Sequence, residues 1–288
     1  MKRLKQVVQK AQLIWRLFAQ EDRVLAKLHQ IKVRFQLSPI ERRNLPDFGK
    51  IPDTLRKNRN IREGYSRGWG IQFGDLRKKI ERDPLYREAT DLAYGRTIVT
   101  EDIRMNLFLI LKFFLTNLSS GHIVEFGSYK GGNAIFLASV VRKLYPGMRV
   151  YALDTFTGMP EADDAIDAHF AGQFNDTDLQ ELIAFTRQSG LDNLEFCKGL
   201  FQDTAPVLLP KIRDVVLAYI DCDIYSAVAY SYEIVKPYMV PGGYILFDDA
   251  TISSCLGATE AVEDLLIRRD GLNCEQIAPN FVFRAFFK

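Results

Sequence analysis

Four aspartates follow two apolar segments in the second half of the chain. Asp221 and Asp223 come after one segment, and Asp248 and Asp249 come after the next. If these segments are neighbouring parallel strands, their carboxyl ends meet at one edge of a sheet, where open α/β folds bind ligands. Crowded carboxylates raise one another's pKa, whereas Mg²⁺ and other hard divalent ions prefer such oxygen ligands. The alternative, capping of the following helices, accounts for only one or two of the four aspartates. The pattern therefore predicts a metal site.

The turn at residues 125–132 carries a second set of informative residues. An apolar run ends at Glu125. Gly127, Gly131 and Gly132 then interrupt the pattern, and helical character follows. The glycines predict a backbone that approaches a ligand closely, beside the free N–H groups of a helix N-terminus. The spacing E-x-G-x-x-x-G-G differs from the G-x-G-x-x-G of dinucleotide-binding domains. A carboxylate suits a cationic or hydroxyl-bearing ligand better than it suits a phosphate. We therefore expect Glu125, Gly127 and Gly131 to bind S-adenosylmethionine (SAM). The alternative is a simple tight connection.

Four further residues are candidates for the same site. Asp154, followed by Thr155, ends the next apolar run, and a carboxylate there can accept both hydroxyls of a ribose. Capping of a turn is the alternative for Asp154, but we assign both residues to the cofactor site. Phe201 follows the third run and is predicted to form a wall for adenine, with a core position as the alternative. His169 lies in an acidic segment and is expected either to assist catalysis as a mobile pocket residue or to be solvated.

These side chains need a sheet to position them, and the apolar patterns predict one. Strands are predicted near residues 122–127, 149–154, 193–198, 214–221, 243–248, 274–277 and 281–287. Helices are predicted near residues 132–145, 178–189, 204–209, 227–238 and 257–269. This alternation indicates a parallel sheet with helices on both faces. The connection 278–280 is too short for a crossover, so the last two strands must form an antiparallel hairpin. The predicted fold class is α/β, a doubly wound sheet that ends in a hairpin, as in class I SAM-dependent methyltransferases.

The N-terminal third has a different character. Apolar residues at helical spacing predict an amphipathic helix over 4–35, and the proline-containing segment 36–75 predicts an irregular connector or a substrate-side lid. Helical character returns near Asp83, and 105–115 reads as a largely buried helix. We therefore predict a basic N-terminal extension, 1–96, and a catalytic domain, 97–288, with a helical contribution from the extension.

Charge is divided unevenly between these two parts. Residues 1–97 contain 23 Lys and Arg against 11 Asp and Glu, whereas residues 98–288 contain 15 against 25. The basic part could meet nucleic acid, an anionic membrane surface, an acidic partner or the acidic body of its own molecule. Because no nucleic-acid-binding motif accompanies the charge, we expect no nucleic-acid partner. Intramolecular docking and a homo-oligomer are expected, and contact with a membrane surface stays open.

Other features of the composition indicate a cytosolic protein. No apolar run approaches the roughly 20 residues that span a bilayer. The N-terminus lacks the apolar region and cleavage site of a secretory signal. The four cysteines show neither a C-x-x-C pair nor metal-ligand spacing, so we expect reduced core or pocket residues. They are Cys197, Cys222, Cys255 and Cys274.

From Thr97 to the C-terminus, the sequence resembles the macrocin-type (TylF-like) O-methyltransferases, which act on sugars of macrolide and aminocoumarin antibiotics. The matching segments occur in the family's order and at its spacing. They are EFGSYKGG at 125–132, DTFTGMP at 154–160, GLFQDT at 199–204, DCDIY at 221–225 and PGGYILFDD at 241–249. The resemblance implies that Asp221, Asp248 and Asp249 bind Mg²⁺ and that Asp223 is the general base. It also implies that Thr97 and Ile98 contact SAM.

The sequence departs from the family pattern at two places. Ser226–Ala227 replaces part of a longer polar signature, and Ala250 replaces an aromatic residue after the aspartate pair. We expect these positions to face the acceptor, so that the acceptor differs from a typical antibiotic sugar.

The predicted function is SAM-dependent O-methylation, in which a divalent metal activates a hydroxyl of a sugar-containing natural product or glycan. One alternative keeps SAM and metal but uses a catechol or another vicinal diol as acceptor. A second is a scaffold or binding protein that acts through its basic N-terminal arm. An NAD-dependent oxidoreductase is disfavoured by the glycine pattern and the terminal hairpin.

Overall fold

The computed structural model describes residues 55–56, 59–60, 74–118, 120–252 and 254–286. The chain divides into two compact units, one of residues 1–56 and 60–62 and one of residues 57–59 and 63–288. Two-residue strands β1 (Leu55–Arg56) and β2 (Arg59–Asn60) pair with each other. The predicted helix over 4–35 and most of the predicted connector lie outside the described residues.

A seven-stranded sheet forms the centre of the second unit, in the order β5-β4-β3-β6-β7-β9-β8. The strands are β3 (His122–Phe126), β4 (Val150–Asp154), β5 (Leu194–Lys198), β6 (Val215–Ile220), β7 (Met239–Phe247), β8 (Cys274–Gln276) and β9 (Phe281–Arg284). The pairs among β3 to β7 are parallel, whereas β9 is antiparallel to both β7 and β8. The predicted strands and the closing hairpin are thus confirmed, although β7 begins four residues earlier than predicted.

Register brings the ends of the central strands to one level. Phe126 of β3 pairs with Leu153 of β4 and with Ile220 of β6, and Ile220 pairs with Phe247 of β7. The residue that follows each of these four therefore stands at the same edge of the sheet. This is how the fold gathers acids that are far apart in the sequence.

Helices connect the strands and cover both faces of the sheet. They are α1 (Gly74–Glu81), α2 (Pro84–Ala93), α3 (Glu101–Leu109), α4 (Gly132–Leu144), α5 (Leu179–Gln188), α6 (Phe201–Ile212), α7 (Tyr225–Val235) and α8 (Leu256–Ala261). A π-helical segment, Val262–Arg269, continues α8. Helix α6 extends beyond the predicted 204–209 at both ends, although it contains Pro206 and Pro210. Among the helices described, none is long and apolar enough to cross a bilayer.

Two hydrophobic clusters form the core, one on each face of the sheet. Along β3, Ile123 belongs to one cluster, whereas Val124 and Phe126 belong to the other. This alternation is the two-residue period of a strand that is buried on both faces. The polar side chains at the strand ends therefore stand above a dry, close-packed layer.

Two details differ from the prediction for the helices before β3. Tyr86 of α2 packs edge-to-face against Phe108 and Phe136, with ring centroids 5.3 and 5.8 Å apart. Residues 74–93, predicted as part of the N-terminal extension, lie in the unit of residues 57–59 and 63–288 that contains the sheet. The helix predicted over 105–115 changes to π-helical geometry at Ile110–Phe114, and Phe113 and Phe114 are 58% and 50% exposed. The second half of the helix predicted as largely buried is therefore partly exposed at these two rings.

Candidate active site

A cavity of about 500 Å³ opens at the carboxyl ends of β3, β4, β6 and β7. Twelve of the thirteen residues predicted for the site line it. They are Thr97, Ile98, Glu125, Gly127, Asp154, Thr155, His169, Phe201, Asp221, Asp223, Asp248 and Asp249. The thirteenth, Gly131, is not among the lining residues. The carboxyl ends of the strands are the usual location of a ligand site in open α/β sheets.

The carboxylates of Asp221, Asp248 and Asp249, here called the aspartate triad, offer oxygens within 4.8 Å of one another. Asp248 and Asp249 are each only 5% exposed. Burial and the neighbouring acids raise the pKa of Asp221 and of Asp249 well above the ordinary range, and burial raises the pKa of Asp248 to about 6. The charged neighbours that act most strongly on Asp221 are all carboxylates. Hard oxygen donors with unbalanced negative charge fit a divalent cation such as Mg²⁺.

Asp223 is separated from the triad although it is close in sequence. Its φ of 60° lies in the left-handed region, which L-residues adopt rarely and Asp more readily than most. Its backbone N–H donates to Asp249 Oδ2 at 2.9 Å. Its own carboxylate faces His169, with Oδ1 3.5 Å from His169 Nε2. The four acids predicted to converge therefore divide into three plus one.

Glu125 is fully buried at the end of β3 and is held by two side chains. Ser128 Oγ donates to one carboxylate oxygen at 2.6 Å, and Asn133 Nδ2 donates to the other at 2.8 Å. Burial nevertheless raises the pKa of Glu125 to about 7, while the two hydrogen bonds act in the opposite direction. Ser128 and Asn133 were not predicted as site residues, because their spacing from Glu125 carries no general signal.

Asp154 organises the turn that follows β3. Its Oδ2 accepts hydrogen bonds from the backbone N–H groups of Ser128 and Tyr129, both at 2.8 Å, and its Oδ1 accepts one from Phe156 at 2.7 Å. The alternative that the sequence left open for Asp154, a turn cap, is thus present. The carboxylate also lines the cavity, and its two oxygens offer about four acceptor positions in all.

Gly127 lines the cavity, whereas Gly131 and Gly132 do not, and all three glycines of this turn approach other parts of the protein closely. A Cβ on Gly127 would stand 1.6 Å from the carbonyl oxygen of Asp221 on the neighbouring strand end. Gly131, the N-cap residue of α4, has a φ of 70°, and a Cβ there would meet Leu182. A Cβ on Gly132 would stand 2.4 Å from the backbone of Arg96. The expectation that Gly131 and Gly132 bring backbone close to a ligand is therefore replaced by a helix start and a close chain crossing.

His169 lies inside the cavity wall and not on a solvated loop. Its side chain is 12% exposed, and its Nε2 is 3.4 Å from Cys255 Sγ. Asp223 Oδ1 is 3.5 Å from the same sulfur. We call His169, Asp223 and Cys255 the mixed cluster. Cys255 was assigned only as a core or pocket residue, because its 86-residue separation from His169 gives no recognisable spacing.

The mouth of the cavity is apolar. Ile98, Leu200 and Ile252 line it and are 70%, 44% and 38% exposed. Ser226 and Ala227, expected to face the acceptor, also line the cavity. Ala250 does not line the cavity and is only 3% exposed, so the expectation for that position is not met.

The strand order, with its antiparallel strand beside β7, together with the acidic strand ends, defines the class I methyltransferase fold. The sequence model described as Macrocin-O-methyltransferase (TylF) matches residues 82–269. The chain belongs to this family.

Two curated relatives are sugar O-methyltransferases. The 8-demethyl-8-(2,3-dimethoxy-alpha-L-rhamnosyl)-tetracenomycin-C 4'-O-methyltransferase of Streptomyces olivaceus is 31% identical over 163 residues, which cover 53% of this chain and 62% of the relative. The mycinamicin III 3''-O-methyltransferase of Micromonospora griseorubida is 31% identical over 156 residues, 50% of this chain and 61% of the relative. The matched part thus spans about three-fifths of these relatives' length.

Solved structures share the fold. The O-methyltransferase NovP superposes with a TM-score of 0.58 at 20% identity, covering 74% of this chain and 95% of NovP. A putative O-methyltransferase from Klebsiella pneumoniae superposes with a TM-score of 0.52 at 16% identity, covering 78% of this chain and 100% of that protein's chain.

Proposed function

We propose that the protein transfers a methyl group from SAM to a hydroxyl of a sugar-containing acceptor. The observation that carries the proposal is the buried aspartate triad beside Asp223, at the strand ends where this fold binds ligands. Family membership supports it, and the relatives are named for methylating a rhamnosyl tetracenomycin and mycinamicin III.

The β3–β4 half of the cavity suits the cofactor. SAM supplies an activated methyl group on a sulfonium ion. Glu125 offers a carboxylate at the cavity wall for the positively charged end of the cofactor, and Asp154 has acceptor capacity left for a ribose hydroxyl. Phe201 and Leu200 offer apolar surface for adenine, and Phe201 is held in place by an edge-to-face contact with Phe126 at 5.4 Å.

The β6–β7 half suits the reacting hydroxyl. The aspartate triad would hold the divalent metal, which as a Lewis acid lowers the pKa of a hydroxyl. Asp223 offers a carboxylate oxygen that can accept the hydroxyl proton, and His169 beside it stabilises the ionised form of that carboxylate when the imidazole is charged. The apolar mouth formed by Ile98, Leu200 and Ile252 suits an acceptor that carries an apolar group next to its sugar.

Calorimetry with S-adenosylhomocysteine (SAH) and a methyl-transfer assay test the proposal. The acceptor panel contains free 6-deoxyhexoses, glycosylated polyketides and a catechol, each with Mg²⁺ and with a chelator. We expect SAH to bind and methyl transfer to occur with a glycosylated acceptor. Transfer only to the catechol would replace the acceptor class, and binding of NAD instead of SAH would overturn the assignment.

A further inference from the structure

The mixed cluster has donor chemistry that the proposed methyl transfer does not need. Its three atoms are an imidazole nitrogen, a carboxylate oxygen and a thiol sulfur, on three separate segments of the chain. The aspartate triad next to it offers only oxygen. Nitrogen and sulfur donors favour borderline metals such as Zn²⁺ over Mg²⁺.

The three donor atoms form a nearly equilateral triangle. His169 Nε2 is 3.4 Å from Cys255 Sγ, and Asp223 Oδ1 is 3.5 Å from both of these atoms. Tetrahedral zinc with bonds of about 2.3 Å to sulfur and about 2.0–2.1 Å to nitrogen and oxygen separates its ligands by about 3.3–3.6 Å. The His169–Asp223 distance exceeds the usual range of a direct N–H···O bond, about 2.7–3.2 Å. The two distances to sulfur fit both S–H hydrogen bonds and a zinc tetrahedron, and the His169–Asp223 distance fits the tetrahedron better than a direct hydrogen bond.

A neighbouring glutamine fixes the imidazole in the form that binds a metal. Gln173 Oε1 accepts the backbone N–H of Phe170 at 3.2 Å, which identifies that atom as the oxygen of the amide. The same oxygen is 3.0 Å from His169 Nδ1, so Nδ1 must carry the proton that it donates. Neutral His169 then presents the lone pair of Nε2 to the cluster. A histidine that donates its second N–H to an acceptor is the usual arrangement around protein-bound metals.

Three ligands leave one position of the tetrahedron, and all three residues line the cavity. We propose that His169, Asp223 and Cys255 form a second cation site, selective for Zn²⁺ over Mg²⁺, whose fourth position faces the cavity. On binding, the Cys255 thiol releases its proton to solvent and coordinates as a thiolate, while His169 and Asp223 bind as neutral imidazole and carboxylate.

One consequence of this site rests on the proposed function. Asp223 cannot accept a proton from the acceptor while its carboxylate coordinates zinc. Zn²⁺ therefore inhibits methyl transfer even when excess Mg²⁺ is present, because the two cations occupy different donor sets. Binding itself does not depend on catalysis and is tested separately.

Cobalt serves as the spectroscopic probe of the binding step. The 288-residue chain is titrated with Co²⁺ in excess Mg²⁺, which keeps the aspartate triad occupied by a hard cation. We expect one equivalent of Co²⁺ to give a thiolate-to-cobalt charge-transfer band and the visible bands of tetrahedral cobalt, and one equivalent of Zn²⁺ to displace it. Cys255→Ser should lose the charge-transfer band. Cys197→Ser, a matched change at a half-buried thiol outside the cavity, should keep it.

Substitutions of Gln173 provide a second test, whose result would be unaffected if Cys255 had only a structural role. Gln173→Leu should weaken Co²⁺ binding by about 10–100-fold, and Gln173→Glu, which keeps an acceptor for Nδ1, should restore it. Zinc inhibition is then measured for each variant relative to its own zinc-free activity, and Cys255→Ser should be less sensitive than Cys197→Ser. Circular dichroism confirms that each variant is folded.

The outcomes separate the two proposals. No charge-transfer band in the wild type, or a band that survives in Cys255→Ser, overturns the zinc site whatever the enzyme methylates. A band that depends on Cys255, in a protein that transfers no methyl group, keeps the site and removes the proposed function. If the enzyme is active and shows the charge-transfer band but is not inhibited by zinc, Asp223 does not serve both as the general base and as a zinc ligand.

Discussion

The two halves of the cavity hold their carboxylates in different ways. On the β3–β4 half, Glu125 receives hydrogen bonds from two side chains and Asp154 receives three from backbone N–H groups. On the β6–β7 half, the aspartate triad faces mainly other carboxylates, with the hydroxyl of Tyr219 donating to Asp248 and a backbone N–H donating to Asp249. On the β3–β4 half, donors of the protein itself form hydrogen bonds to the carboxylates. On the β6–β7 half, the carboxylates keep negative charge that favours the binding of an external cation.

This difference suits two separate tasks. Carboxylates fixed by protein donors keep one geometry and can orient a cofactor without further help. Carboxylates that repel one another are costly in the free protein, and a cation that relieves the repulsion binds the folded state preferentially. We therefore interpret the first half as the cofactor side and the second as the metal and acceptor side.

Divalent metal is expected to have the largest effect, and only on the β6–β7 half. A chelator should abolish methyl transfer and Mg²⁺ should restore it, whereas Asp221→Ala should abolish methyl transfer with no rescue by Mg²⁺. SAH affinity, measured by calorimetry, should change little because the β3–β4 half is intact. Asp203→Ala, an exposed acid in the first turn of α6, is the matched control. Full activity in excess chelator would falsify the metal role of the triad.

Asp223→Asn should separate proton transfer from metal binding on that same half. Asparagine keeps the shape and a hydrogen-bonding oxygen but cannot accept the proton, so we expect a loss of about 10²–10⁴-fold in kcat. SAH affinity should stay close to that of the wild type, and Mg²⁺ affinity should fall much less than turnover, because Asp223 contacts the triad through its backbone N–H and its carboxylate acts there only as a neighbouring charge. If turnover is unaffected, the base lies elsewhere, and His169→Gln is the next variant to measure.

The pH dependence of stability should show that hydrogen bonds on the β3–β4 half only partly offset the cost of burial. Burial raises the pKa of Glu125 from 4.5 to about 7, so the folded protein holds this proton more tightly than the unfolded chain. Its contribution to stability is complete below pH 4.5 and is lost as the pH rises to about 7, a change of about 3 kcal/mol.

Urea unfolding of the metal-free protein across this range measures the effect. Glu125→Gln should flatten the fall in unfolding free energy, whereas Glu195→Gln, on the exposed part of β5, should leave the slope unchanged. Equal slopes for the wild type and Glu125→Gln would mean that Glu125 stays ionised in the folded state. The aspartate triad also makes the unfolding free energy fall as the pH rises. The slope of each variant is therefore compared with that of the wild type.

Much of the cavity could be predicted because its acids follow strands. A strand is visible as a local apolar run, and parallel register then brings the residues after neighbouring strands to one edge. Asp154, Asp221 and Asp248 could be assigned to the site in this way before any contact was known. The hairpin at the C-terminus was equally local, since a connection predicted at three residues, and four residues long in the structure, permits only an antiparallel pair.

The rest depends on contacts between distant segments, which local patterns do not contain. Position 132 must be glycine because the backbone of Arg96 leaves no room for a Cβ there. Cys255 contacts His169, which is 86 residues away in the sequence. The left-handed backbone that turns Asp223 away from the triad also leaves no periodic signal. For these reasons the four aspartates were predicted as one group, and the mixed cluster was not predicted.

The smallest expected effect is on the β3–β4 half, at Asp154. Asp154→Asn removes the charge and one acceptor oxygen, so the turn after β3 loses part of its support and a ribose hydroxyl loses a charge-assisted partner. We expect SAH affinity to fall by about 1.5–3 kcal/mol, measured by calorimetry, while Mg²⁺ affinity stays unchanged. Tyr129→Phe tests the turn separately, because it removes only the hydroxyl that donates to Asp176 at 2.6 Å. If Asp154→Asn weakens folding but leaves SAH affinity intact, Asp154 is a turn cap alone, and the cofactor side of the comparison then rests on Glu125.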